Sequence, residues 1–64
     1  MKNCIKDVRN EQGVSQEELA EKSGVSRRIL SLLETGAAES TTTKTMQAIA
    51  KALGKESSEI FFLE

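Results

Sequence analysis

The chain has 64 residues, a net charge of −1 and a hydrophobic fraction of 38%, with two phenylalanines and neither tryptophan nor tyrosine. This length predicts one small domain spanning residues 1–64, with a largely aliphatic core. The balanced charge excludes a protein that holds nucleic acid by bulk positive charge alone. It does not exclude one that recognises a specific site, because that depends on where the cations lie.

The single cysteine, Cys4, cannot form an internal disulfide, and the chain has no histidine to share a metal site with it. We therefore expect a reduced, cytoplasmic protein that uses no metal and no other cofactor. The longest purely apolar run is the short IFFL stretch at 60–63. It predicts no transmembrane segment and no membrane partner.

The glycines lie at positions where other features of the sequence also predict the end of a helix, and the chain contains no proline. This pattern predicts a run of short helices, each closed by a glycine at its C-terminus. No stretch alternates apolar and polar residues over a length that would indicate a strand. The glycines in question are Gly13, Gly24, Gly36 and Gly54.

The first helix is predicted from about Asn3 to Gln12. Ile5, Val8 and Gln12 follow the i, i+3, i+7 spacing of an inward-facing stripe. Arg9 lies beside Val8, towards the same face.

The second helix is predicted to begin after Ser15 and to end near Ser23. Ser15 and Glu18 have the spacing of a capping box, in which each side chain accepts a hydrogen bond from the other residue's backbone amide. Gln16 occupies the exposed first position. A solvated side chain and a contact to a phosphate or base edge are equally consistent with that position.

A tight turn at Gly24 and Val25 joins this helix to a third one that begins after Ser26. Helices joined so tightly cross steeply, and a small residue such as Ala20 is needed where they meet. Glycine is favoured at the stop because the backbone there turns left-handed. Together these features predict that residues 16–35 form a DNA-binding helix-turn-helix unit.

The third helix is predicted to run to about Thr35. Periodicity alone allows either Ile29 or Leu30 to face the core, and the pairing of Leu30 with Leu33 favours Leu30. Two arginines next to exposed apolar residues are unusual for a surface that faces only water. The side chains left on or beside the outer face are Arg27, Arg28, Ile29, Ser31 and Leu32.

The outer face of the third helix has the chemistry of a base-reading surface. An arginine near a helix N-terminus can donate two parallel hydrogen bonds to O6 and N7 of guanine in the major groove. An aliphatic side chain can contact the methyl group of thymine. Free backbone amides at the N-termini of the second and fourth helices would suit phosphates. The predicted base contacts are Arg27, Arg28, Ile29 and Leu32.

A polar loop follows Gly36 and leads into the fourth helix, whose cap is Thr42 or Thr43 and whose last residue is about Leu53. Its buried stripe shows the period of an amphipathic helix. The stripe consists of Met46, Ile49, Ala50 and Leu53.

The fifth helix is predicted from about Ser57 to Phe62, with Ile60 and Phe61 packing against the core. The apolar tail at 62–64 is either a dimer contact or a frayed end beside the core. We expect any dimer surface to include Phe61, Phe62 and Leu63.

No arrangement typical of an enzyme is visible. A serine or cysteine nucleophile needs a nearby base, and the chain has no histidine to act as one. The glutamates are spread around the helices, and there is no phosphate-binding loop or metal-ligand spacing. We therefore expect no enzymatic activity.

A family resemblance lies in the stretch IKDVRNEQGVSQEELAEKSGVSRRILSLLETG, followed by MQAIAKALG and SSEIF. In these stretches the chain resembles the phage-repressor or Cro-type (XRE) helix-turn-helix family. The most specific parts are VSQEELAEKSGVS, the Glu-x-Gly at 34–36 and IAKALG at 49–54. The resemblance covers nearly the whole chain. It implies an all-α, compact, five-helix lambda-repressor-like fold whose second and third helices bind DNA.

Several site residues are implied by this resemblance. It assigns base contact to Arg27, Arg28 and Leu32, with Ile29 close to the bases. It implies a structural ion pair between Arg9 and Glu34. The predicted phosphate contacts are Gln16, Ser26, Ser31, Ala37, Ala38 and Lys44.

The chain also departs from the family pattern. The loop after Gly36 reads AAES where the family often has basic residues and a proline, and it is one residue longer than usual. This weakens the expected grip on phosphate, and Glu39 is expected to repel DNA. Leu32 stands where the family often has a polar or basic residue. Thr35 stands where the family often has asparagine. Lys55 and Ser57 stand where apolar residues are common.

The function expected from these residues is sequence-specific DNA-binding transcriptional regulation in a prokaryote or phage. One unit this small reads few base pairs, so we expect a homodimer on a two-fold symmetric site with half-sites about 34 Å apart. The alternative is a protein-interaction module on the same fold, of the antitoxin or anti-repressor type, with weak or no DNA binding. The acidic loop and the outward Ile29 and Leu32 would suit a protein partner.

Overall fold

Five helices and two very short strands follow one another along the computed structural model, which describes residues 2–38 and 41–62. The chain is therefore mostly helical, as its sequence predicts. The elements are β1 Lys2–Asn3, α1 Ile5–Glu11, α2 Gln16–Ser23, α3 Arg27–Thr35, α4 Thr43–Ala52, α5 Ser57–Ile60 and β2 Phe61–Phe62.

The two strands pair with each other in antiparallel fashion, with Lys2 opposite Phe62 and Asn3 opposite Phe61. We call this pair, β1 and β2, the terminal ribbon. The sequence predicts that Asn3 begins the first helix and that Phe61 and Phe62 end the fifth, and it predicts no strand. The structure shows that these predictions are wrong. Strands of two residues are too short to show an alternating pattern, and their partners lie at opposite ends of the chain.

Each helix contributes one fully buried side chain to a single aliphatic core. These five are Ile5, Leu19, Leu30, Ile49 and Ile60, all with no exposed surface. The core is completed by Val8, Val25, Leu33, Ala50, Leu53 and Phe61. This confirms the predicted inward positions on α1, α3 and α4, although Met46 is only partly buried.

Two predicted placements need correction. Gln12 is exposed rather than buried in the stripe of α1, although its Nε2 donates a 2.7 Å hydrogen bond to the carbonyl of Leu53. Phe61 is only 6% exposed, so it belongs to the core and offers no surface to a second copy. Phe62 is 43% exposed. Leu63, also expected at a dimer surface, lies outside the described residues.

In the described ranges 2–38 and 41–62, no helix combines the length and apolar character needed to cross a membrane.

Candidate nucleic-acid interface

The start of α2 is fixed by two reciprocal hydrogen bonds. The amide of Glu18 donates to Oγ of Ser15 over 3.0 Å, and the amide of Ser15 donates to a carboxylate oxygen of Glu18 over 3.3 Å. The predicted capping box is therefore confirmed. It satisfies two amides that a helix N-terminus otherwise leaves without partners.

The turn between α2 and α3 has the predicted geometry. Gly24 has a φ of +73°, in the left-handed region, and its amide donates to the carbonyl of Ala20 over 2.9 Å. Val25 follows and is 9% exposed, buried between the two helices. Oγ of Ser26 then accepts a 3.1 Å hydrogen bond from the amide of Ile29, which begins α3. The chain thus leaves α2 and enters α3 within three residues, at 24–26.

The apolar side chains of α3 divide into a buried pair and a partly exposed pair. Leu30 and Leu33 are buried, with 0% and 2% exposure. Ile29 and Leu32 are 39% and 37% exposed. Periodicity allowed either Ile29 or Leu30 to face the core, and it is Leu30 that does.

Arg27 and Arg28 are exposed in the first turn of α3, and neither forms an ion pair within residues 2–38 and 41–62. With both guanidinium groups uncommitted, their donors remain available to a ligand. Together with Ile29 and Leu32 they are the exposed cationic and large aliphatic side chains of α3. We call these four residues the reading face.

Residues expected to meet phosphates lie on or next to three helices, α2, α3 and α4. Gln16 is half-buried at the first residue of α2, and Lys44 is exposed in the first turn of α4. The cap of α4 is Thr42, whose Oγ1 accepts a 3.2 Å hydrogen bond from the amide of Thr45. Ser26 is exposed and Ser31 is half-buried.

Ala37 and Ala38, two of the predicted phosphate contacts, can meet a phosphate only through their backbone amides, and the end of α3 uses one of these amides. The amide of Ala38 donates a 3.0 Å hydrogen bond to the carbonyl of Leu32 and closes the helix, after Gly36 has turned the chain with a φ of +83°. That amide is therefore occupied, and Ala37, which is exposed, carries the remaining one. Glu39, expected to repel DNA, lies outside the described residues.

Arg9 joins α1 to α3 and to the loop that precedes α2. Its Nε and one terminal nitrogen donate to the two carboxylate oxygens of Glu34 over 3.2 Å and 3.0 Å. Its other terminal nitrogen donates to the carbonyl of Val14, just before α2, over 3.0 Å. The side chains of Arg9 and Glu34 are only 12% and 4% exposed. These two residues are therefore held inside the fold, away from the reading face.

A second tie to the end of α3 comes from a residue that sequence reasoning missed. Nδ2 of Asn3 donates a 3.0 Å hydrogen bond to the carbonyl of Leu33, while its Oδ1 accepts one of 3.2 Å from the amide of Ile5. An asparagine two residues before a helix is a known signal for such a local turn. The contact with Leu33, thirty residues away in sequence, has no such local signal.

The described residues, 2–38 and 41–62, include no group of three or more His, Cys, Asp or Glu side chains that could hold a metal ion. The partly buried Cys4 is a free thiol whose Sγ donates to the carbonyl of Glu59 over 3.2 Å. It acts as a link between the two ends of the chain.

Comparison with known proteins agrees with this geometry. A family model described as helix-turn-helix matches residues 5–60. The chain is 41% identical over 63 residues to a protein of Methanothermobacter thermautotrophicus named as an uncharacterized HTH-type transcriptional regulator, in an alignment that covers 98% of this chain and 90% of that protein. No solved structure gives a significant match to the chain.

Proposed function

The chain belongs to the XRE-type helix-turn-helix family, and from this premise we propose that it is a transcriptional regulator that reads specific DNA sites by placing α3 in the major groove. The observation that carries the proposal is the reading face. Two arginines that form no ion pair with any residue the structure describes, and two partly exposed aliphatic side chains, lie on a helix whose other side is anchored in the core. We expect the protein to work in the cytoplasm and without enzymatic activity.

The side chains of the reading face would make two kinds of contact to bases, hydrogen bonds and apolar contacts. Arg27 and Arg28 can each donate a bidentate pair of hydrogen bonds to guanine, worth about 1–3 kcal/mol of discrimination. Ile29 and Leu32 cannot donate hydrogen bonds, and they would contact thymine methyl groups. The preferred site should therefore combine guanines with neighbouring thymines.

Phosphate contacts would hold the reading face in register. Gln16 and Lys44 stand at the first turns of α2 and α4, where free amides and the helix dipole favour an anion. Ser26, Ser31 and the amide of Ala37 are the remaining proposed contacts. Phosphate contacts position the protein without reading sequence.

We further propose that the protein acts as a homodimer on a two-fold symmetric site. One short recognition helix contacts only a few base pairs, and helix-turn-helix proteins overcome this by binding two half-sites about 34 Å apart. Phe62, 43% exposed at the end of the terminal ribbon, is the proposed contact. A ring of this size left in water is a natural surface for a second copy.

Selection from a random duplex library at low salt, followed by sequencing of the bound fraction, tests the proposal. We expect a two-fold symmetric motif with guanines at matched positions. The double variant Arg27→Ala, Arg28→Ala should lose those guanines. A matched control, Lys51→Ala with Lys55→Ala, removes the same charge from exposed positions outside the proposed interface and should keep the motif.

The alternative function is binding of a protein partner through the same face. It is favoured by the net charge of −1 and by the exposure of Ile29 and Leu32. Weak affinity that is the same for every duplex, together with a tightly bound protein in the purified material, would support this alternative. An enriched DNA motif would reject it as the main role.

A further inference from the structure

We propose that Asn3 is a positioning residue, which fixes the C-terminal turn of α3 to the terminal ribbon and so sets the orientation of the reading face. The inference rests on the proposed function, because it concerns how that face is presented to DNA. It concerns a side chain on β1, an element that does not belong to the helix-turn-helix unit.

The first observation is that both polar atoms of the Asn3 side chain are committed to backbone partners. Its Nδ2 donates to the carbonyl of Leu33 over 3.0 Å, and its Oδ1 accepts from the amide of Ile5 over 3.2 Å. A carbonyl can only accept and an amide can only donate, so the two partners fix the orientation of the side chain. One residue thus connects the start of α1 with the end of α3.

The second observation is the state of the Leu33 carbonyl. It lies in the last turn of α3, where carbonyl groups lack a full set of partners within the helix. Besides the bond from Asn3, it accepts, among the residues that the structure describes, only a long 3.3 Å hydrogen bond from the amide of Gly36. The Asn3 bond is therefore the shorter of the two that hold this carbonyl.

The third observation is that a surface depression lies beside the Asn3 bond. It has a volume of about 310 Å³, and its lining includes Lys2, Asn3, Leu33, Thr35 and Gly36. The end of α3 borders open space on this side, so a directional hydrogen bond contributes there to the position that close packing fixes elsewhere.

The fourth observation is that the ribbon provides a fixed base for this bond. Asn3 is paired with Phe61, which is buried in the core, and the amide of Cys4 donates to the carbonyl of Ile60 over 3.0 Å. The Arg9–Glu34 pair holds the same turn of α3 from α1. The end of the reading helix is therefore held from two directions, and Asn3 supplies the one that comes from the ribbon.

Asn3→Asp is the most informative variant. The carboxylate keeps the shape of the side chain and can still accept from the Ile5 amide, but it cannot donate to the Leu33 carbonyl. Asn10→Asp makes the same chemical change at an exposed position of α1 whose side chain forms no hydrogen bond within the described ranges. It controls for the added negative charge. Asn3→Ala, which adds no charge, serves as a second variant.

The first measurement is amide hydrogen exchange by NMR in the free protein. Gly24 and Gly36 are the left-handed C-cap residues of α2 and α3, and their amides donate to the carbonyls of Ala20 and Leu33, so they report on the two helix ends separately. In Asn3→Asp we expect exchange at Gly36 to rise about threefold to tenfold, the effect of losing one ordinary hydrogen bond, with no change at Gly24. Equal increases at both glycines would indicate general destabilisation and would overturn the proposal, as would no change at Gly36.

The second measurement is the ratio of affinities for the selected duplex and for a scrambled duplex, taken well below the melting temperature. We expect this ratio to fall about threefold to tenfold in Asn3→Asp, since one bond positions the face, and to stay constant in Asn10→Asp. If exchange at Gly36 rises but the ratio does not change, Asn3 is only structural and the positioning role is rejected. If the wild-type protein does not discriminate between duplexes, the proposed function is rejected, and the positioning role of Asn3 in DNA recognition is rejected with it. The exchange result still shows whether Asn3 fixes the end of α3.

Discussion

Arg9 and Glu34 meet through two parallel hydrogen bonds of 3.2 Å and 3.0 Å that join α1 to the last turn of α3. With 12% and 4% of their side chains exposed, the two charges are largely removed from water. Removing one partner of such a pair leaves the other charge buried without compensation. This pair therefore couples the stability of the fold to the position of α3.

The first prediction concerns this pair. Glu34→Gln keeps the shape of the side chain but removes its charge, and we expect the free energy of unfolding to fall by about 3 kcal/mol. Glu21→Gln, the same change on the exposed side of α2, should alter it by less than about 0.5 kcal/mol. Urea denaturation followed by circular dichroism compares the two, and equal effects would show that the pair is not important for stability.

The second prediction separates the two faces of α3. Leu30→Ala creates a cavity at a fully buried position and should cost about 2–5 kcal/mol, close to the whole stability of a domain this small. Leu32→Ala should cost less than about 1 kcal/mol because its side chain is 37% exposed. It should nevertheless weaken binding to the selected duplex. Thermal melting and fluorescence anisotropy distinguish these outcomes, and a Leu32→Ala protein with unchanged affinity would remove that residue from the reading face.

The third prediction concerns phosphate contact at the start of α4. Each phosphate neutralised by a cation contributes about 0.9 to the slope of log affinity against log salt. Lys44→Ala should therefore reduce that slope by about 1 on every duplex, specific or not. Lys51→Ala, on the same helix but away from its N-terminus, should leave the slope unchanged. Identical slopes for the two variants would place Lys44 outside the interface.

The fourth prediction concerns association of two copies. Phe62→Ser should shift the protein from dimer to monomer in sedimentation equilibrium without unfolding it, because that ring is 43% exposed. Phe61→Ser should unfold the protein instead, since its ring is 6% exposed and lies in the core. A wild-type protein that stays monomeric both alone and on its selected duplex would contradict the dimer proposal.

The parts of the fold that sequence could predict are those encoded locally. The capping box of Ser15 and Glu18, the left-handed Gly24 and the apolar spacing of α4 each depend on residues within a turn or two of one another. Such patterns can be recognised without knowing the rest of the fold. The spacing of Leu30 and Leu33 likewise predicts Leu30 rather than Ile29 as the core residue, and this prediction is confirmed.

The parts that sequence could not predict depend on contacts between distant residues. The terminal ribbon joins the two ends of the chain through strands of two residues, and the bond from Asn3 to Leu33 crosses from one end to the middle. Nothing near Asn3 indicates that its side chain reaches α3. The sequence places Phe61 both against the core and at a dimer surface, and it does not decide between the two. In the structure Phe61 is 6% and Phe62 43% exposed, which fits the opposite faces that successive residues of a strand present.

The central claim, that α3 reads the major groove, is tested most directly by methylation interference on a selected duplex. Dimethyl sulfate modifies guanine at N7 in the major groove and adenine at N3 in the minor groove, so one experiment reports on both grooves. We predict that methylated guanines at two-fold related positions are depleted from the bound fraction, and that Arg27→Ala or Arg28→Ala abolishes the depletion at its own guanine. Interference confined to adenine, or guanine interference that both arginine variants retain, would contradict the assignment of α3 as the reading helix.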